Sequence, residues 1–159
     1  MASQTFEAQR GISSVEMADG FALIQVFGLP QAGFLERRIE CLDHLAANGV
    51  SFDFLRLSTD GFSFVVPNRD AAKVESPLNE LGVRFEQLAK QSLVTVSVPN
   101  LREENGLLAK IIEIVAATGV QVNSIGDTHT SVLILLAAAD AVIVSDMLRS
   151  RVGAKDLLS

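Results

Sequence analysis

The sequence predicts an α+β chain made of two copies of one small unit, each of order β-α-β-β-α-β. Two observations carry this. The first is a gapless internal repeat at an offset of 70 residues, position 48 answering to position 118. Asn48-Gly49-Val50-Ser51-Phe52-Asp53 is followed by Thr118-Gly119-Val120-Gln121-Val122-Asn123, Leu23-Ile24-Gln25-Val26 by Leu93-Val94-Thr95-Val96, and Leu78 by Leu148. Tandem repetition constrains architecture before any residue has a role. The second is that apolar period switches between two and three-to-four within each copy, as strands and helices require. Such a chain points to binding at a seam between like modules rather than to one catalytic cleft.

The elements follow in order. Gly11 to Met17 alternates weakly, as a short strand would, and Asp19-Gly20 reads as a hairpin turn into a strand over Phe21 to Phe27. Gly28-Leu29-Pro30-Gln31-Ala32-Gly33 is a loop punctuated by Gly and Pro. Leu35, Ile39, Leu42, Leu45 and Ala46 recur at helical spacing, and Asn48-Gly49 stops the helix. Val50 to Ser58 alternates as a strand, Asp60-Gly61 turns the chain into a strand over Phe62 to Val66, and Pro67 ends it. Asp70 to Leu81 reads as a helix capped by Asn68 or Asp70 and disturbed by Pro77. A last strand begins at Gly82. The second copy repeats this with strands over 93–98, 119–126 and 130–136, and helices over 106–117 and 139–149.

Nothing convincing closes the second copy, since Gly153 to Ser159 lacks a strand pattern. An open three-stranded sheet is a liability. The strand at residues 11–17 is expected to fill the gap, which inserts the first copy within the second. The expected division is a loose start over residues 1–10, a first unit over 18–88, and a second unit formed by 11–17 with 89–159.

Composition narrows the function. The formal net charge of -6 argues against a nucleic-acid surface, which needs clustered Lys and Arg. The pair Arg37-Arg38 lies among acids and reads as a solvated helix face. A single Cys41 excludes an internal disulfide and a thiolate metal cage, and suits a reducing cytoplasm. The first 20 residues carry no signal-peptide pattern, and the apolar run Val132 to Ala139 is too short to span a bilayer. His44 and His129 lack companions for a metal site. The alternating Phe52, Phe54, Phe62 and Phe64 read as core and cross-strand packing, and Asp60 as a turn residue. No nucleophile-base set stands out, so no enzyme, no cofactor and no metal are expected.

Several segments resemble the ACT domain, a small-molecule regulatory fold. Gly11-Ile12-Ser13-Ser14-Val15, then Phe21-Ala22-Leu23-Ile24, resembles the lead-in to the tandem ACT module of aspartokinases, and the run Leu45 to Leu55 with Phe62-Ser63-Phe64-Val65-Val66-Pro67 resembles its first repeat. Asn100-Leu101-Arg102-Glu103-Glu104-Asn105-Gly106 stands where the second repeat carries its own loop. The likeness covers residues 11 to about 152, with no kinase segment and no Gly-rich phosphate loop. It implies two ferredoxin-like units side by side, antiparallel sheets with helices on one face, and an amino-acid effector, lysine or threonine, at an ACT–ACT interface. It implies a homodimer or a separate catalytic subunit as partner, in the cytoplasm.

The resemblance also implies a site. The effector would be held by Gln31, Gly33, Phe34 and Leu35 and by Ser51, Phe52 and Asp53, with a weaker second site at Asn100, Arg102, Asn105, Gly106, Gln121 and Asn123. The chemistry is coherent. A helix N-terminus offers backbone N–H groups to a carboxylate, Gly33 allows close approach, and Asp53 accepts the ammonium. The alternative is a structural interaction module on the same fold that no longer binds a ligand.

Overall fold

A computed structural model of the chain describes residues 10–154. Most of the loose start over 1–10 and the end of the tail lie outside the described residues. The elements are β1 (Ser14–Phe27), α1 (Phe34–Ala47), β2 (Asp53–Leu57), β3 (Phe62–Pro67), a 3-10 turn (Asn68–Asp70), α2 (Ala72–Glu80), β4 (Arg84–Ser97), α3 (Leu107–Ala117), β5 (Val122–Asp127), β6 (Ser131–Ala137) and α4 (Ala138–Arg149). They group into two compact units. One is Gly20–Gln91; the other takes the residues up to Asp19 and those from Ser92 onward.

In the Gly20–Gln91 unit the hydrogen-bonded strand order is β2-β3-β1-β4. β1 and β3 are antiparallel, from Phe21 opposite Pro67 to Val26 opposite Phe62. The core takes alternate residues of these strands, Ala22, Ile24 and Val26 with Phe62, Phe64 and Val66. Cys41 and Leu45 of α1 and Val74 and Leu78 of α2 cover them. Alternate strand positions share one face, and helical spacings of three and four share one stripe. Phe64 stands with its ring 5.3 Å from that of Phe52 and 5.9 Å from that of Phe62, so these rings are core.

The other unit orders its strands β1-β4-β6-β5, with the first residues of β1 at the edge. Ser13 N–H donates to Ser97 O at 2.9 Å, and Gly153 N–H to Ile12 O at 3.1 Å. β5 and β6 are antiparallel, with Ile125 opposite Ile134. Much of its core repeats the first at the sequence offset. Val94 and Val96 take the places of Ile24 and Val26, Ile111 and Val115 those of Cys41 and Leu45, Val132, Ile134 and Leu136 those of Phe62, Phe64 and Val66, and Val144 and Leu148 those of Val74 and Leu78.

Three expectations need correction. Asp19-Gly20 is not a turn, because β1 runs through it with Gly20 at φ 88°. An Asp-Gly pair turns a hairpin only where the flanking strands pair with each other, and here residues on its N-terminal side bond to β4 instead. α2 begins at Ala72 without a side-chain cap, and Asp70 instead meets Lys73 at 3.1 Å. Pro77 neither ends nor halves the helix, which runs on to Glu80. Its ring is buried, and the carbonyl it leaves unbonded belongs to exposed Lys73.

The third correction concerns α1. Leu35 and Ile39, expected inward, are 54% and 49% exposed, and the buried stripe is Arg38, Cys41 and Leu45. Arg38 is 1% exposed, so it is no solvated face. Arg37 does lie outside, paired with Glu40 at 2.7 Å. Burial pushes the Cys41 thiol above its ordinary pKa. The folded state therefore keeps the proton that the unfolded chain releases above about pH 8.5. Stability will fall as pH rises past that point, and Cys41→Ala will remove this part of the fall in urea titrations.

Candidate functional site

The loop between β1 and α1 is held from beneath by Arg38. Its guanidinium donates to Pro30 O at 3.3 Å and Phe34 O at 2.7 Å on one side. On the other it donates to Ser58 O at 2.9 Å, Thr59 O at 3.2 Å and Gly61 O at 3.2 Å, in the turn between β2 and β3. The group also lies 3.8 Å from the centre of the Phe34 ring. Five carbonyls, four from two loops and one from the first residue of α1, thus converge on one cation. Leu29 N–H adds a bond to Asp60 O at 2.7 Å.

The same turn approaches β1 through a glycine. A Cβ on Gly61 would stand 1.7 Å from Val26 O, closer than any side chain allows. Gly61 N–H is held by Ser58 Oγ at 3.1 Å.

Gln31 and Gly33 are exposed at the start of α1, and Phe34 is half-buried beneath Arg38. Gly33 caps α1 with φ 64°. The positive end of this helix is already attended: a Cβ on Gly33 would lie 2.5 Å from Glu36 Oε2, so that carboxylate folds back onto the first turn. Ser51 and Asp53 are exposed beyond the other end of α1, while Phe52 packs against the core. The 14 residues of α1 make it about 21 Å long. Gln31 to Leu35 and Ser51 to Asp53 therefore stand at opposite ends of one helix, and this unit alone does not gather them around one small molecule. Next to Asp53 the β2–β3 pairing slips between Asp53 and Arg56, and Phe54 takes φ 54°. A non-glycine residue in that region beside a bulge marks a strained segment.

In the other unit Gly106 caps α3 at φ 81°, and the first turn of α3 carries no acid. Arg102, Asn105 and Gln121 are exposed, and Asn100 and Asn123 are half-buried. The Asn100 carbonyl accepts from Glu103 N–H at 3.0 Å and Glu104 N–H at 3.1 Å. Glu104 in turn accepts from Gly11 N–H at 3.0 Å.

The sequence gives no sign of one further concavity. An open cleft of about 650 Å³ in the Gly20–Gln91 unit is lined by Phe27, Asp60, Asn79, Val83, Arg84, Phe85 and Glu86. A hollow of about 330 Å³ shares Phe27, Val83 and Arg84 with it and reaches Gly28 to Pro30. No local motif signals this cleft, because its walls come from three separate stretches of sequence.

Two units of four strands and two helices, related by the 70-residue offset, define the class as a tandem ferredoxin-like α+β fold. Among solved structures the chain is similar to the regulatory subunit of aspartate kinase from Thermus thermophilus in its ligand-free form, at 18% identity and TM-score 0.77, over 89% of this chain and 97% of that one. It is also similar to a chain of an aspartokinase of alpha and beta subunits, at 20% identity and TM-score 0.77, over 88% of this chain and 97% of that one. A third is E. coli aspartokinase III in complex with lysine and aspartate, at 18% identity and TM-score 0.73, where 92% of this chain covers 34% of that one. These likenesses establish the fold. No family model matches the chain. No curated protein matches it either. No helix among the described residues is long and apolar enough to cross a membrane.

Proposed function

We propose that the chain is a non-catalytic regulatory module that senses lysine or threonine at an interface between ACT units of two copies and so alters its own assembly or a partner's activity. The observation that carries this reading is the tandem fold shared, over nearly their whole length, with regulatory subunits of aspartate kinase. The carboxylate of the effector would meet the α1 N-terminus at Gln31, Gly33, Phe34 and Leu35. Its ammonium would meet Asp53, with Ser51 and Phe52 beside it. Because α1 is about 21 Å long, the two half-sites belong to different copies, and ligand binding favours the dimer by linkage. The second set, Asn100, Arg102, Asn105, Gly106, Gln121 and Asn123, offers a neutral amide where Asp53 offers charge, and would bind more weakly. We also read the Gly20–Gln91 unit as an insertion within the other, supported by the grouping of residues up to Asp19 with those from Ser92. The partner is a second copy or a separate catalytic subunit.

The test is thermal unfolding of the whole chain with free lysine or threonine. At a ligand excess of about 100-fold over Kd, stability rises by about 2.7 kcal/mol, a shift of several degrees. Asp53→Ala will abolish the rise. A second reading, a structural module that has lost its ligand, draws on Glu36, whose carboxylate sits against Gly33 where an effector's would go. Dimerisation indifferent to every amino acid would establish that reading instead.

A further inference from the structure

We propose a site of covalent modification: Asn105 is a self-reactive amide, which the Gly106 nitrogen converts to aspartate or isoaspartate with water as the only other reactant. Asn48-Gly49 and Asn105-Gly106 are the two Asn-Gly pairs of the chain. Conversion at such a pair begins when the glycine nitrogen attacks the asparagine Cγ, and glycine, lacking Cβ, hinders that approach least. All four residues are exposed, and the two glycines share a left-handed backbone, at φ 79° and φ 81°. Exposure and glycine backbone are alike in both pairs, so hydrogen bonding decides which one reacts.

At Asn48 the reactants are held. Gly49 N–H donates to Ala46 O at 3.0 Å, Asn48 N–H to Leu45 O at 3.1 Å, and the Asn48 side-chain amide to His44 O at 2.8 Å. Its Cγ cannot meet the Gly49 nitrogen until the end of α1 opens. At Asn105 they are free. The pair fills the two middle places of a turn closed by Leu107 N–H on Glu104 O at 3.2 Å. Among the described residues neither middle N–H is hydrogen-bonded, and the Asn105 side chain has no partner. The reaction balances without oxidant or reductant. The Gly106 nitrogen gives its proton to solvent and bonds to Asn105 Cγ. The Cγ–Nδ2 bond breaks, and the amide nitrogen takes a proton from solvent and leaves as ammonia. Water then opens the cyclic imide at either carbonyl. The product carboxylate stands just before the N-terminus of α3, whose first turn holds no acid. A negative charge there suits the positive end of the helix. It gives α3 the attendant anion that Glu36 already gives α1. The reaction needs no effector, so its outcome is independent of the sensor reading.

The experiment incubates the full chain in mildly alkaline buffer, where more of the backbone nitrogen is deprotonated. Peptide mapping by mass spectrometry, with isoaspartate detection, follows both asparagines. Asn105 will convert at least about tenfold faster than Asn48, because Asn48 must first open its helix end at a free-energy cost. In urea the two rates will converge to within about threefold, since the unfolded chain holds neither pair. Asn105→Gln, an exposed change that removes no hydrogen bond among the described residues, will abolish conversion at this position and leave that of Asn48 as it was. Asn105→Asp, which reproduces one product, will slow amide exchange in the second turn of α3 by about two- to fivefold. Equal rates at the two asparagines in the folded chain, or a faster rate at Asn48, would overturn the assignment. So would a difference of about tenfold that persists in urea, because its cause would then be local sequence and not structure. Unchanged exchange in Asn105→Asp would overturn the effect on α3.

Discussion

Replacing Arg38 with alanine will lower the unfolding free energy by about 3–5 kcal/mol in urea denaturation of the whole chain. The guanidinium is 1% exposed and is shared by five carbonyls. Its removal strands acceptors in two loops at once and opens a void over Phe34. Hydrogen bonds to a charged donor contribute about 1.5–3 kcal/mol each, but stranded carbonyls recover part of this by admitting water. With total stabilities of about 5–15 kcal/mol, the variant will sit near its unfolding threshold. Arg38→Lys will rescue little, because an ammonium lacks the planar fork that reaches both loops. A loss below about 1 kcal/mol would mean that the carbonyls rehydrate freely and that Arg38 does not tie the loops together.

Gly61→Ala will be at least as damaging, by about 3 kcal/mol or more, above the usual range for an overpacked site. The new Cβ would lie 1.7 Å from Val26 O and 2.7 Å from Val26 C, so backbone meets backbone and no rotamer relieves it. The turn must retreat from the end of β1. That retreat breaks the Arg38 bond to Gly61 O and the Leu29 bond to Asp60 O. The melting temperature should fall by about 6–12 °C for a chain of this size. An alanine variant as stable as the parent would show that this approach is not required.

Both residues bear on what the sequence disclosed. Arg38 was hidden by its charge. The stripe Leu35, Ile39, Leu42 and Leu45 obeys helical spacing, and so does Arg38, Cys41 and Leu45; hydropathy prefers the first, whereas the helix buries the second. The internal repeat holds a clue to the right choice, since Cys41 corresponds to the buried Ile111. Gly61 was legible as a turn residue, but its contact with Val26 was not, because 35 positions separate them (61 less 26). The cleft was invisible for the same reason: Phe27, Asp60 and Arg84 share no segment. Gln31 to Leu35 and Ser51 to Asp53 are linked by resemblance alone, and the length of α1 sets them apart.

The sequence by itself determined the two-copy architecture, the α+β class and most of the core. Periodicity and repetition are local properties, and many buried positions of one unit have a buried counterpart 70 residues on, as Phe64 has Ile134 and Leu78 has Leu148. Tertiary structure decided which face of α1 turns inward, that β1 runs straight through Asp19-Gly20, and which charges share a cleft. Those outcomes depend on partners distant along the chain: carbonyls that can satisfy a buried cation, a strand that replaces a turn, and walls that meet only after folding.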